Sequence, residues 1–451
     1  MKAFKAYDIR GVYGTDFDKD AVYKMGFFLH RLFGARVIAV GRDARLSSPE
    51  IAETLLKGIT DSGVDVDFYD LATTPFMYWV TARQGYETSV MITASHNPKN
   101  HNGLKISAKN AAPVGYDTGL NKLEAWVESE IPSPVDNKGK VNDCANRLKK
   151  EYIDFQRQYV GDLGDMKMVV DCSNGMANLF VKDLLPDDVI YLADDIDGSF
   201  PCHEPNPLEP ANIVALQRKV REIGADIGVI YDGDADRVMF VDEKANFVSP
   251  DLMIGLLATH FLKKNDTHPK VLQDIRTSKA VAELITELGG EACIWRVGRA
   301  YAAQKLREID GLFGGELAGH YYFRDFYYSD SGIMASLLIL SIIAECHRKS
   351  TSFSQVMAGI ARYKNSGEIN FVIDKKQEAM DVVKDYFCDA EKPQRFLDFD
   401  GYRVEFENWW FNIRPSNTEP YLRLILEANT DELLAQKTAE IHRLLTPYIC
   451  K

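Results

Sequence analysis

Short, unbroken apolar runs that stop at an acidic or polar residue recur along the chain. Val37-Ile38-Ala39-Val40 leads into Gly41-Arg42-Asp43, Met168-Val169-Val170 into Asp171, Gly228-Val229-Ile230-Tyr231 into Asp232, and Val271-Leu272-Gln273 into Asp274. None of these runs alternates apolar with polar, so both faces of each are expected inside. Helix-period segments lie between them, which predicts an α/β chain with parallel-type sheets covered by helices on both faces. In such sheets ligands gather at the carboxyl ends of strands.

Breaks in the pattern suggest boundaries. The loop 131–140 precedes a helix-like stretch from Asn142 to Val160, Asp251 after Pro250 fits a helix N-cap, and the strand-like run from Glu368 to Ile373 opens a smaller α+β segment. A chain of 451 residues is too long for one core. We expect domains at 1–148, 149–246, 247–364 and 365–451.

The densest candidate chemistry is Asp232-Gly233-Asp234-Ala235-Asp236-Arg237, directly after an apolar run. Carboxylates at every second position of an extended or tightly turned backbone converge on one side, where hard oxygen donors suit a hard cation such as Mg2+. Without a cation they repel one another, and Arg237 alone cannot neutralise them. An acidic surface turn is also compatible. A Ca2+ loop fits Asp232, Asp234, Asp236 and Glu243, but it needs glycine where Arg237 stands. A phosphatase-like Asp232 nucleophile with Asp234 as acid is not excluded by the triplet itself.

Three further loops add to this. Ser89-Val90-Met91-Ile92 runs into Thr93-Ala94-Ser95-His96-Asn97-Pro98 and then Asn102-Gly103-Leu104-Lys105, so a hydroxyl, an imidazole and an ammonium share one polar region. Such a serine suits a nucleophile or phosphoryl carrier, although Ser, Asn and Pro are also ordinary turn residues. Near the C-terminus, Arg414-Pro415-Ser416-Asn417-Thr418-Glu419-Pro420 could be a helix capping box, but the strand-forming run from Tyr421 to Glu427 follows it. A guanidinium beside small polar side chains and free N–H groups makes an anion pocket, suited to a phosphate monoester. Gly314-Gly315-Glu316-Leu317-Ala318-Gly319-His320 is a glycine-rich loop whose glutamate could accept from two neighbouring sugar hydroxyls.

In this order, and with the opening Phe4-Lys5-Ala6-Tyr7-Asp8-Ile9-Arg10-Gly11, the four loops resemble the α-D-phosphohexomutases, within them the bacterial phosphomannomutase/phosphoglucomutase group. The resemblance implies three related α/β/α domains with mixed sheets and a smaller C-terminal α+β domain around a central cleft. It implies that Ser95 is the phosphoserine and that Asp232, Asp234 and Asp236 hold Mg2+ with a phosphoryl oxygen on Ser95 completing the site. Arg237 would touch that phosphoryl group, and His96 and Lys105 would assist proton transfer and charge stabilisation. Substrate contacts would come from Tyr7, Arg10, Glu316, His320, Arg414, Ser416, Asn417 and Thr418, with Arg276 and Arg299 as further candidates. The implied reaction interconverts hexose 1- and 6-phosphates, of mannose and also glucose, through a hexose 1,6-bisphosphate that also serves as activator. Departures from the family pattern are Ala318 for serine, Arg299 for histidine, Ala235 for glycine and His101 for tyrosine.

Composition changes the picture little. With 46% hydrophobic and 26% charged residues the chain reads as an ordinary globular enzyme, and a net charge of -13 argues against nucleic acid and anionic membranes as partners. Phosphorylated hexoses are anions, so the basic residues must form a local positive cleft. No run reaches the ~18 apolar residues of a membrane span, and no signal-peptide pattern opens the chain, so a cytoplasmic location is expected, as a monomer or homodimer. The 7 cysteines lack CxxC pairs and look like reduced thiols. A phosphoglucosamine mutase is the runner-up, disfavoured by Asn417-Thr418 where such enzymes carry glycine-threonine; a non-catalytic sugar-phosphate or Ca2+-binding protein is the alternative of another class.

Overall fold

The computed structural model describes residues 1–262, 268–416 and 420–450. The chain divides into two compact units, Met1–Pro250 with Gly298–Val356, and Asp251–Val297 with Met357–Lys451.

In the first unit, one sheet runs in the order Ile9–Val12, His101–Ala108, Thr88–Ile92, Val37–Arg42, Asp65–Leu71, Val141–Asp143. Its first two pairings are antiparallel and the rest parallel. A second sheet, ordered Phe247–Val248, Val238–Asp242, Ile227–Tyr231, Met168–Asp171, Ile190–Leu192, repeats this arrangement. Both sheets are therefore mixed, in an α/β fold. The strands Thr88–Ile92, Met168–Asp171 and Ile227–Tyr231 are buried at every position, which is why their sequences show no alternation. An antiparallel meander, Phe313–Gly315, Tyr321–Phe323 and Ser329–Asp330, leads into the buried helix Gly332–Arg348, capped by the Ser331 side chain accepting from the Met334 N–H.

The strand bearing Asn102-Gly103-Leu104-Lys105 lies so close to its neighbour that a Cβ at Gly103 would stand 2.0 Å from the Ile9 carbonyl oxygen. Glycine there lets the N-terminal strand, with Arg10 on it, pair directly beside the strand of Lys105.

In the second unit, Lys270–Asp274 and Glu291–Trp295 form a parallel pair flanked by the helices Leu252–Phe261 and Lys279–Glu287. Asp251 caps the first of these helices, as expected from sequence. An antiparallel sheet holds Arg395–Leu397, Tyr402–Glu405, Trp409–Pro415 and Tyr421–Ala428, with Ile369–Val372 and Lys364–Asn365 on the last strand. The helices Lys376–Ala390 and Asp431–Leu445 supply Val383, Phe387 and Leu445 to a core shared with Phe411 and Leu424. The fully buried Arg403 lies over the Trp410 ring, 3.9 Å from its centroid, and donates to the carbonyls of Ile275 and Thr277. It thereby clamps the loop that carries Arg276.

One sequence expectation is corrected. The stretch Asn142–Val160 is not a continuous helix: Val141–Asp143 is a strand at the sheet edge, and the α-helix begins only at Lys149 and ends at Gln156. The Asn142 side chain donates to Asp67 at 2.9 Å, so sheet pairing takes residues whose composition suits a helix. Among the described residues no helix is long and apolar enough to cross a membrane.

The loop before the helix Pro210–Ile223 is pinned by His203, whose Nε2 lies 3.2 Å from both carboxylate oxygens of Asp171. Burial opposes the charged imidazole, but the Asp171 carboxylate outweighs it and raises His203 above its ordinary value. A raised folded-state value stabilises fully below the unfolded pKa of about 6.5 and fades as pH rises through the folded value. Thermal scans of native protein and His203→Gln should therefore differ more at pH 5.5 than at pH 8.5; an equal difference at both would refute the pairing.

Candidate active site

Ser95 lies three residues past the buried strand Thr88–Ile92 and holds a left-handed backbone, φ 50°. The loop around it is organised by Arg45, whose guanidinium donates to the carbonyls of Ser95, Asn97, Pro98 and His101 at 2.7–3.1 Å. Arg45 is itself paired with Asp43, which also accepts from Ser48. On the opposite side the aspartate loop comes so near that a Cβ at Gly233 would stand 2.6 Å from the Ser95 carbonyl oxygen. Glycine between the first two aspartates thus permits the contact. Ser95 Oγ donates to Asp232 Oδ2 at 2.7 Å.

Asp232, Asp234 and Asp236 are each 0% exposed, and one ligand oxygen from each lies within 4.8 Å of the others. Lys105 Nζ donates to Asp234 and Asp236, and Thr74 Oγ1 also donates to Asp234. Burial, then Asp236 and Asp234, pushes the Asp232 carboxyl well up. Burial acts the same way on Asp236, but Lys105, His320 and Arg237 overcome it and hold that carboxyl well below its usual range. Lys105 is raised because Asp234 and Asp236 outweigh its own desolvation. The Oδ1 atoms of Asp234 and Asp236 are buried and have no hydrogen-bond partner among the described residues. Buried carboxylate oxygens left bare are costly unless something meets them, so this donor set fits a hard divalent cation.

Arg237 Nη2 donates to His96 Nδ1, and its Nε lies 3.7 Å from Asp232. Burial, then Arg237 and Arg10, pushes His96 well below its ordinary value, so it is a neutral acceptor holding the guanidinium. Ser95 Oγ is 3.4 Å from the same nitrogen, so Asp232 is the nearer proton acceptor for the serine. Arg10 donates to Asn97 and to Asp8. Tyr7 stacks edge-on with Tyr301 at 5.3 Å and packs at Gly298, where any Cβ would strike its ring. Glu316, in the hairpin between Phe313–Gly315 and Tyr321–Phe323, accepts from the Gly298 N–H at 2.9 Å. His320 lies 3.8 Å from Asp236 and 2.7 Å from Asp330, and Arg299 lies 3.7 Å from Asp330 with its guanidinium over the Tyr78 ring. Within the first unit the structure thus gathers Ser95, His96, Lys105, the aspartates, Arg237, Arg10, His320 and Arg299.

The remaining candidates belong to the second unit. Arg276 is already matched by Asp274 Oδ2 at 2.7 Å and lies 3.5 Å from Glu368. Arg414 ends a strand; its Nε donates to Asp400 at 3.0 Å, while Nη2 is buried without a hydrogen-bond partner among the described residues. Ser416 donates its N–H to the Tyr421 carbonyl, extending the pairing of the strands Trp409–Pro415 and Tyr421–Ala428. Asn417 and Thr418 lie outside the described residues.

Sequence reasoning missed Arg45, Thr74 and Asp330. A signal existed for the first: Arg42-Asp43-Ala44-Arg45 is a charged cluster just past an apolar strand. Thr74 acts through Asp234, far along the chain, and Asp330 through His320 within the same meander; neither left a local trace in the sequence.

Models described as phosphoglucomutase/phosphomannomutase alpha/beta/alpha domains I, II and III and C-terminal domain match residues 1–132, 149–245, 249–363 and 368–444. The chain is 33% identical over 451 residues to a phosphomannomutase of Methanocaldococcus jannaschii, covering 99% of this chain and 98% of that one. It is 35% identical over 461 residues to a phosphomannomutase of Escherichia coli, covering 99% of each. A crystal structure of a phosphoglucomutase/phosphomannomutase family protein from Burkholderia thailandensis superposes with a TM-score of 0.87 at 27% identity, covering 99% of this chain and 97% of that one.

Two stability outcomes follow from the charge layout. Lys105→Met leaves buried carboxylates unmatched and should destabilise by about 3–5 kcal/mol with divalent cations chelated; added Mg2+ should recover part of that loss in thermal scans. Ala235 holds φ 62°, a conformation costing an L-residue about 1–2 kcal/mol. Ala235→Gly removes that strain but loosens the unfolded chain by about 0.4–1 kcal/mol, so a gain of up to about 1.6 kcal/mol is expected in denaturant titration.

Proposed function

The chain belongs to the phosphoglucomutase/phosphomannomutase family, and on that premise we propose that it is a phosphohexomutase converting hexose 1-phosphate to hexose 6-phosphate and back. Its substrates are the phosphates of mannose and also glucose. The observation that carries this reading is the 2.7 Å hydrogen bond from Ser95 Oγ to Asp232, inside a buried group that includes Lys105 and lies against Arg237.

Ser95 carries the phosphoryl group between turnovers. In the first half-reaction the free hydroxyl of the bound hexose phosphate attacks phosphorus, the bond from Ser95 Oγ breaks, and a hexose 1,6-bisphosphate is left in the site. The proton lost by the sugar hydroxyl is matched by the one Ser95 Oγ takes up as its bond to phosphorus breaks; His96 and Lys105 assist these transfers, and the freed Ser95 hydroxyl donates to Asp232 Oδ2. The second half-reaction runs the same exchange in reverse with the sugar's other phosphate, regenerating phosphoserine. Arg237, steered by neutral His96, meets the charge on the transferred group, and Lys105 balances Asp234 and Asp236.

Asp232, Asp234, Asp236 and the group on Ser95 would hold Mg2+, a reading supported by the bare buried oxygens of Asp234 and Asp236. Bound there, the cation supplies neutralisation of the phosphoryl oxygens. Tyr7, Arg10, Arg299, Glu316 and His320 are assigned to the sugar and its phosphates, and Arg276, Arg414, Ser416, Asn417 and Thr418 to the phosphate that is not being transferred. The Nη2 of Arg414, buried without a hydrogen-bond partner among the described residues, supports that assignment. Hexose 1,6-bisphosphate serves as activator by rephosphorylating Ser95. Four domains with boundaries near residues 148, 246 and 364 accord with the four stretches matched by family models.

The test is interconversion of the 1- and 6-phosphates of mannose, glucose and glucosamine, with Mg2+ and trace bisphosphate, by native protein and Ser95→Ala. Mannose and glucose phosphates should isomerise and the substitution should reduce both to background. A preference for glucosamine phosphate would reassign the sugar, and no isomerisation of any of the three would overturn the mutase reading.

A further inference from the structure

Asp330 has no part in any step derived so far, yet it is 0% exposed beside the candidate metal ligands. It ends the third strand of the meander, paired with Tyr322, directly before the cap of the helix Gly332–Arg348. Its Oδ2 lies 2.7 Å from His320 Nδ1. Its Oδ1 has no hydrogen-bond partner among the described residues and faces Arg299 Nη1 at 3.7 Å. His320 Nδ1 has one other carboxylate within reach, Asp236 Oδ1 at 3.8 Å. The buried Asp236 Oδ1 has no hydrogen-bond partner among the described residues. A single imidazole N–H thus stands between two carboxylates and bonds only one of them.

We infer that Asp330 is a positioning residue that takes the His320 Nδ1–H for itself and so keeps the Asp236 Oδ1 lone pairs open for the divalent cation. The inference rests on the metal assignment made above. An imidazole nitrogen facing a carboxylate at 2.7 Å carries its proton on that side, on Nδ1. Arg299 supports the arrangement from the far side by keeping a positive charge against Asp330 Oδ1. Without Asp330, a rotation of the ring by about an ångström would bring Nδ1–H within hydrogen-bond distance of Asp236 Oδ1. That bond would compete directly with the cation, because a ligand oxygen turned toward a proton donor is a weaker ligand. The arrangement also explains why the serine loop needs no contact with Asp330: the residue acts on the cation's third carboxylate, through an imidazole. Partners one shell outside a metal commonly change its affinity by about ten- to a hundredfold when removed.

The experiment measures Mn2+ binding to the full chain by electron paramagnetic resonance, together with the His320 ring-nitrogen shifts in 15N-labelled protein. Native protein should bind Mn2+ and show His320 protonated at Nδ1. Asp330→Ala should weaken Mn2+ binding by about tenfold or more, and Asp330→Asn, which keeps the shape, should weaken it in the same direction. The decisive variant is the double substitution Asp330→Ala with His320→Phe, which removes the competing N–H and should return Mn2+ affinity toward native. A merely structural Asp330 would leave the double variant as weak as the single one, which overturns the inference. Native His320 found with its proton on Nε2 overturns it without any variant. Native protein that binds no Mn2+ overturns the metal assignment itself, and this inference with it, whereas native binding left unchanged by Asp330→Ala sinks the inference alone.

Discussion

Three fully buried carboxylates held against one buried ammonium set the terms for the rest of the first unit. Taking charges out of water is expensive, and like charges a few ångströms apart multiply the penalty unless counter-charges arrive with good geometry. Lys105 meets that need from an adjoining strand, and the register explains how. Met91 pairs with Lys105 across antiparallel strands, so the strand that delivers the serine loop is the neighbour of the strand that delivers the cation. A slip of one residue would turn Lys105 to the opposite face and strand the aspartates. Gly103, two residues before Lys105, lets the Arg10 strand close on the other edge of the same ribbon. Fold and charge balance are thus one constraint.

Around that constraint the chain stores local strain and holds it with buried polar groups. Ser95 and Ala235 both occupy left-handed backbone, one in each of the loops that meet at the serine. Such conformations persist only where the surroundings over-determine them. Here the Arg45 guanidinium ties together four carbonyls of the serine loop, and the aspartate loop is anchored by Thr74, Lys105 and the helix that starts at Gly332, whose N–H donates to the Ala235 carbonyl. A phosphoryl carrier built this way presents its oxygen in one direction before substrate arrives. Preorganisation of that kind is what phosphoryl transfer asks of a protein, since positioning and charge do most of the work.

The chemistry was legible in sequence where it is local. Asp232, Asp234 and Asp236 share one loop after an apolar run, and Ser95 with His96 follows another, so strand-end placement and residue type together picked out groups that the fold brings into contact. Groups that act across the fold were not legible. Thr74 meets Asp234, and Asp330 meets His320 from a different strand; neither carries a motif of its own. The stretch after residue 141 misled because the helix formers Ala145, Arg147, Leu148, Lys149, Lys150 and Glu151 run together in it, while an edge strand beside Asp65–Leu71 claimed its first residues. Arg276 illustrates the opposite limit. Its charge marked it for a positive cleft, and nothing in the sequence showed that Asp274, two residues earlier in the same turn, would pair with it. Sequence gives the sign of a residue and not its partner.

That limit bears on how an acidic chain accepts an acidic substrate. Around Ser95 the first unit sets Arg10, Lys105, Arg237 and Arg299 against Asp8, Asp232, Asp234, Asp236 and Asp330, so acids outnumber bases by one even before Glu316 is counted. A phosphate dianion approaching these residues alone would meet no net positive charge, and every cation among them is already engaged. On the proposed assignment, a divalent cation on the three aspartates would add two positive charges, which offset those of a phosphoryl dianion on Ser95. It would also relieve Lys105 and Arg237 of sole duty as counter-ions, leaving them able to face phosphoryl oxygens. The positive cleft that the substrate requires is therefore not a property of the chain's basic residues, which are outnumbered globally and locally. On the proposed metal assignment it would depend on the bound cation, and the aspartates that look least suited to an anion would be the residues that help it bind.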